Sequence, residues 1–252
     1  MRTGTLIVCA NHIGNILDIP QRTIEKIRQT KHIFCDHFNE FNKDILIPFG
    51  IDKKDKVIVE TGPIENDLEI LNQALSILKN GQDVVFLSDN GMIGFADKGT
   101  RIIDMIHKNK ILVEVISGPS IVSSAVAVAG IASSASDVLF MSFFDYNKDQ
   151  KLKKLQNIKN LDAVIVILDF PENMKSLFEI IEKSIDGQRL SALCINIGLE
   201  SQKIIRKKIF LFNQDFPELK DCSVTLVLEG SVSRNLDDLV GSTGLEPVTD
   251  GL

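Results

Sequence analysis

Tryptophan is absent from this chain of 252 residues, and there is one tyrosine. A protein that coats single-stranded nucleic acid by stacking bases on rings would have only phenylalanine to do it with. An excess of positive charge is missing as well. Lys and Arg number 28 against 34 Asp and Glu, for a net charge of −6. That excludes a general basic field and leaves room for local basic patches alone. Long hydrophobic runs are also missing. The most apolar region, 111–135, is broken by Glu114, Gly118, Pro119 and several serines, so it is not read as a membrane span. Met1-Arg2-Thr3-Gly4 leads straight into a short apolar run, without the apolar core of a secretory signal. The four cysteines, Cys9, Cys35, Cys194 and Cys222, form no C-x-x-C pair, and each lies in or beside an apolar run. They read as buried free thiols, which suits a reducing, cytoplasmic location, with no metal site and no membrane partner.

What is present is alternation. At 44% hydrophobic residues the chain has enough apolar mass for one large core or two smaller ones. Short apolar runs predict strands at Leu6–Ala10, His32–Asp36, Val57–Glu60, Val84–Asp89 and Leu112–Ser117. A second series is predicted at Val138–Phe144, Ala163–Asp169, Ser191–Ile197 and Ser223–Glu229. "AVIVILD" (163–169) is apolar at every position but the last, as an interior strand of a covered sheet would be. Between the runs lie helix signals. Asp18 and Pro20 open one helix; Asn66 or Asp67 opens another, through Leu68, Leu71, Leu75 and Leu78 to Asn80-Gly81. Pro119 opens a small-residue helix, Ile121 to Ala129. Such alternation means α/β layering. The expected division is an N-terminal α/β domain (1–117), a C-terminal α/β domain (118–230) and a loose polar tail (231–252).

The stretch "VVFLSDNGMIGFADKGT" (84–100) poses the functional question. A buried strand runs into a polar loop punctuated by Gly91, Gly94 and Gly99. Glycine lets a backbone approach a ligand closely, and open α/β sheets bind ligands at the carboxyl ends of their strands. A phosphate loop is excluded: Gly94 and Gly99 have its spacing, but Thr100 and Arg101 stand where Lys and Ser or Thr are required. The plain alternative is a strand-to-helix turn with Asp97 as helix cap.

Three segments taken together carry a resemblance: "GTLIVCANHIGNILDI" (4–19), "SDNGMIGFADKG" (88–99) and "SGPS" (117–120). In order and spacing they resemble the tetrapyrrole methylase superfamily, and most of all its branch that methylates the ribose 2′-oxygen of a cytidine in small-subunit ribosomal RNA. The likeness extends from Gly4 to about Gly230. It implies two α/β domains with a cleft between them that binds S-adenosylmethionine, commonly in a homodimer. It places cofactor contacts at His12, Gly14 and Asn15, at Ser88, Asp89, Asn90, Gly91, Met92 and Ile93, and at Gly118, Pro119 and Ser120. Contact through the backbone of Ser88 to Ile93 would let the family's Thr-Pro become Met92-Ile93, with Met92 covering the adenine. Gly91 would then stand where a side chain collides with the cofactor. Other signature residues differ: the family's E-D-T-R reads Cys35-Asp36-His37-Phe38, so only its Asp is kept.

The implied activity is S-adenosylmethionine-dependent methyl transfer to a ribosomal RNA ribose. Two alternatives stay open: methylation of a small, tetrapyrrole-like molecule, and a degenerate module that binds the cofactor or dimerises without catalysis. Asp36, Asp18 and Asp89 fall at strand or loop ends, and Asp36 is the candidate for acid–base work. As titrating groups, His12 and His37 read as incidental loop histidines, because no partner stands beside either in the sequence. Candidate contacts to ribosomal RNA or the small subunit are the basic runs Lys148 to Lys159 and Lys203 to Lys208, each otherwise a solvated helix face.

Overall fold

The computed structural model describes residues 3–61, 67–95, 97, 99–131 and 137–231. The chain divides into two compact units, Met1–Ser123 and Ser124–Leu252. The division falls within the small-residue helix, a little beyond the boundary that the sequence predicts at Ser117. The expected cap at Asn66 and the tail beyond Ser231 lie outside the described residues.

In the first unit, strands β1 (Leu6–Cys9), β2 (His32–Cys35), β3 (Val57–Glu60), β4 (Val84–Leu87) and β5 (Val113–Ile116) form one sheet in the order β3-β2-β4-β1-β5. Every pair is parallel. Parallel strands need crossovers, and helices α1 (Gln21–Gln29), α2 (Phe38–Phe41), α3 (Asp67–Lys79) and α4 (Gly99–Lys108) supply them. Because the sheet is covered on both sides, its central strands are apolar at consecutive positions. Ile7, Cys9, Ile33, Cys35, Val85 and Leu87 pack on one face with Ile24 and Ile27 of α1. Leu6, Val8, Phe34, Val84 and Phe86 pack on the other, with Leu71, Ala74 and Leu78 of α3 and Ile102 and Ile106 of α4.

In the second unit, after helix α5 (Ile121–Ala129), strands β6 (Val138–Ser142), β7 (Val164–Leu168), β8 (Leu190–Ile195), β9 (Lys203–Lys208) and β10 (Val224–Leu228) form a mixed sheet in the order β6-β7-β10-β8-β9. Helices α6 (Lys148–Asn157), α7 (Pro171–Ile181) and α8 (Ile209–Gln214) pack its core, centred on Phe178, Phe212, Ile165 and Leu226. β7 is interior, between β6 and β10, as its unbroken apolar run implies.

Two readings of the basic runs need correction. Lys203–Lys208 is a strand, not a helix face: it pairs antiparallel with β8 at the sheet edge. An edge tolerates Lys and Arg, which also blunt pairing with other chains. In the run from Lys148, Lys151 is not solvated. Its ammonium is buried against the carboxylate of Asp169, which also accepts hydrogen bonds from the Phe170 N–H and the Asn173 amide, each at 2.9 Å.

Candidate functional site

The sheet order of the first unit explains the site. All five strands point the same way, so their carboxyl ends share one edge. β2, β4, β1 and β5 are successive neighbours, so the segments that follow them stand in a row. Each then meets the next. The N–H of Asn11, after β1, donates to Gly91 O at 2.9 Å, and the Gly91 N–H donates to His12 O at 2.7 Å. The Asn11 side-chain amide donates to Ser88 O (3.2 Å) and Asp89 O (2.8 Å). Ser88 Oγ donates to Asn90 O at 3.1 Å. These bonds bind the loops after β1 and β4 into one body.

Gly91 is the point where three loops meet. Its φ is +65°, a conformation that L side chains rarely adopt. A Cβ there would lie 2.8 Å from Ile13 Cγ2 and 3.0 Å from the Pro119 carbonyl oxygen. The space that a Cβ on Gly91 would need is taken by the chain's own first and third loops. Gly118 behaves alike, since a Cβ there would meet Pro20 Cγ at 2.6 Å and Ala10 Cβ at 2.7 Å. Much of the backbone of Ser88 to Gly91 is likewise engaged in loop-to-loop bonds.

The other predicted residues are distributed as follows. Asn15 caps a short turn, its side chain accepting from the Leu17 N–H at 2.9 Å. Ile93 is buried in the core, and Met92 is half-buried against it. Ser120 O accepts from Ser123 Oγ at 3.1 Å. Asp97 ties the loop to the start of α4, accepting from the N–H groups of Gly94 (2.6 Å), Phe95 (3.2 Å) and Gly99 (2.8 Å), the first residue of the helix. Asp18 is exposed and caps nothing at α1, whose cap position is Pro20.

Both histidines have partners that the sequence hid. His12 is buried, and its Nδ1 accepts from the Gly14 N–H at 3.1 Å, which puts the ring proton on Nε2. Nε2 lies 3.3 Å from Asp44 Oδ2 but out of line, and no hydrogen bond satisfies it. Asp44 arrives there on a π-helical turn, Asn42–Leu46, that continues α2. His37 is exposed, and its Nδ1 lies 2.5 Å from Asp89 Oδ2 while its backbone N–H donates to Asp89 Oδ1 at 3.2 Å. Behind this pair stands Asp36. Its carboxylate accepts from Thr61 Oγ1 (3.0 Å) and from the Asp89 N–H (3.3 Å). Burial raises the Asp36 carboxyl above its ordinary range, Thr61 opposes this, and the Asp89 charge adds to it. The hydrogen bond and charge of Asp89 raise the His37 ring.

The donor set is neutral to acidic. Segments 11–18 and 88–97 contain no Lys or Arg. Among the described residues no group of His, Cys, Asp and Glu could hold a metal ion. Such an edge does not suit a phosphate. It suits a cation with polar ends, since Asp36 and Asp89 add negative charge there.

The fold is shared with solved methyltransferases. It matches the methyltransferase CobJ with a TM-score of 0.69 at 15% identity, over 92% of this chain and 97% of that one. It also matches uroporphyrin III C-methyltransferase from Thermus thermophilus, with a TM-score of 0.64 at 12% identity, over 90% and 97%. Sequence then fixes the family. The chain belongs to the tetrapyrrole (corrin/porphyrin) methylases, whose family model matches residues 13–211, and it is a methyltransferase. Among curated relatives, "Ribosomal RNA small subunit methyltransferase I" of Thermotoga maritima is 28% identical over 229 residues, 90% of this chain and 99% of the relative. The protein of the same name from Pasteurella multocida is 23% identical over 240 residues, 94% and 83% of the two chains.

Proposed function

We propose that this protein transfers a methyl group from S-adenosylmethionine to a ribose 2′-hydroxyl of a cytidine in small-subunit ribosomal RNA. The observation that carries the reading is the match to relatives named as small-subunit ribosomal RNA methyltransferases, which spans 90% of this chain and 99% of the Thermotoga maritima protein. The bound cofactor would supply an electrophilic methyl group on a positively charged sulfur. His12, Gly14, Asn90 and Met92, on the loops joined at Gly91, are the residues that would hold it, with Ser88, Pro119 and Ser120 fixing those loops. Asp36 and Asp89 place negative charge at the same edge, which favours a cation there. Alignment of acceptor and methyl donor supplies most of the acceleration in such a displacement.

RNA contact falls to the cations left in solvent. Lys148, Lys153 and Lys159 are exposed, whereas Lys151 is buried. On β9, Lys207 lies over the Phe212 ring and donates to Asp215 O, so it serves the fold first. We also propose assembly of two copies. Leu112 and Val115, at the β5 edge of the first sheet, are 56% and 58% exposed, an apolar edge that a second copy would cover. The place of action is the cytoplasm, where small subunits are assembled. Among the described residues no helix is long and apolar enough to cross a membrane.

The test is direct. The purified chain is incubated with S-adenosylmethionine and small ribosomal subunits that lack ribose methylation, and nucleosides are then analysed by mass spectrometry. A 2′-O-methylated cytidine at one position is the expected result. Calorimetric binding of the cofactor with no RNA product would favour a small-molecule acceptor, and no binding would favour a module that has lost its ligand.

A further inference from the structure

We propose that His37 is the general base that takes the proton from the acceptor hydroxyl, held for that task by Asp89 with Asp36 behind it. The inference rests on the ribose-methylating function proposed above. Its grounds are the geometry of one edge. β2 and β4 are neighbours, so the residues that follow them, Asp36 and His37 on one side and Asp89 on the other, meet although 52 positions separate His37 from Asp89. The result is a chain of contacts from inside to outside. Thr61 Oγ1 donates to Asp36 Oδ1, the Asp89 N–H donates to Asp36 Oδ2, and both Asp89 oxygens face His37.

Each member's position assigns its role. Asp36 is half-buried with both oxygens engaged, so it orients Asp89 rather than meeting a substrate. Asp89 Oδ2 accepts from Nδ1–H of the ring, which fixes the tautomer of the neutral imidazole. The lone pair is then on Nε2, on the opposite side of the ring. The His37 side chain is 65% exposed, so a macromolecular acceptor can reach it. The charged groups acting on the ring are Asp89 from the β4 loop, Asp36 just before it in the chain and Glu60 at the end of β3. All are acidic, and all favour the imidazolium that forms when the base accepts a proton.

The step balances as follows. The hydroxyl proton moves to His37 Nε2, giving an imidazolium paired with Asp89. The hydroxyl oxygen forms the new C–O bond as the C–S bond breaks, and that electron pair stays on sulfur. The positive charge thus passes from sulfur to the ring, and water later removes the proton. A base so placed contributes about 10²–10⁴-fold. It also gives a use to a position where the family signature has Thr and this chain has His.

The experiment has two arms. In the first, the His37 ring is titrated by NMR in the parent and in Asp89→Asn. Titration above the ordinary histidine range in the parent, falling in the variant, is expected; identical titration in both overturns the pairing. In the second, methyl transfer to small ribosomal subunits is followed against pH. The parent rate should rise as the ring loses its proton and then level off. His37→Gln, an exposed substitution, should lower kcat about 100-fold and abolish that limb, with cofactor affinity and the KM for subunits within about threefold. In Asp89→Asn the limb should move to lower pH, to a lower plateau. A His37→Gln chain with the parent's kcat and pH profile overturns the assignment of the base alone. A parent that transfers no methyl group overturns the reading of the function, and the base with it.

Discussion

The carbonyl oxygen of Pro119 stands 3.0 Å from the point where a side chain on Gly91 would begin, and Ile13 Cγ2 stands 2.8 Å from it. Glycine is required there by the fold of the loops themselves. Gly91→Ala must hold a side chain at φ +65° and push two loops apart. It should cost roughly 1–3 kcal/mol in urea unfolding. Cofactor affinity should fall in parallel, because the loops after β1, β4 and β5 lose their common register. Ile13→Ala in the same chain should recover the steric part and leave the backbone part. An unchanged urea midpoint for Gly91→Ala would refute the packing argument.

The buried pair of Lys151 and Asp169 gives an unequal prediction. Asp169→Ala strands the Lys151 ammonium, and breaking a buried pair in this way costs about 3–5 kcal/mol. Lys151→Met leaves Asp169 with the Phe170 N–H and the Asn173 amide, so it should cost less. Equal losses in chemical unfolding would mean that those two hydrogen bonds carry no weight.

Thiol chemistry should separate the cysteines. Burial pushes the Cys9 and Cys35 thiols up to about 12 and Cys194 up to about 11. Cys222 is only partly buried. At pH 8 a chromogenic disulfide reagent should therefore label Cys222 first in the native protein, and the other three on unfolding. Rapid native labelling of Cys9 or Cys35 would contradict the packing of the first sheet.

Asp36 should leave a mark on stability against pH. Its folded pKa is raised, with burial as the largest cause. Such a group contributes stability that is full below the unfolded-state value of about 3.9 and is lost as pH rises through the folded value. Asp36→Asn should thus gain on the parent from acid toward neutral pH and then level off, on top of a constant offset for the altered hydrogen bonds to Thr61 and Asp89. Urea midpoints from pH 4 to 7 check this, and a difference that does not vary with pH would rule it out.

Much of the layering was legible along the chain. Nine strands were expected within about two residues of where they occur, because four to six apolar residues bounded by polar turns leave a buried strand few alternatives. β9 was missed. Its Lys203, Arg206, Lys207 and Lys208 look like a solvated surface, and only its seat beside β8 makes them a strand edge. Lys151 was misplaced for a related reason: a lysine amid lysines signals solvent until Asp169 is found beneath it. The loops of the site were legible as loops, from glycine and polar residues at strand ends.

Composition and period by themselves determined that this is an α/β chain without a phosphate loop, with polar segments after Cys9, Leu87 and Ile116. Apolar spacing is local, so it can be read in one dimension. Strand order is not local, and only the tertiary structure decided it. The order β2-β4-β1-β5 set Asp89 against His37 and Asn11 against Gly91. Those encounters turned a histidine with no neighbour in sequence into one held by a carboxylate, and made Gly91 the joint between three loops. The physical reason is that parallel strands gather their carboxyl ends on one edge, while which ends become neighbours depends on packing across the whole sheet.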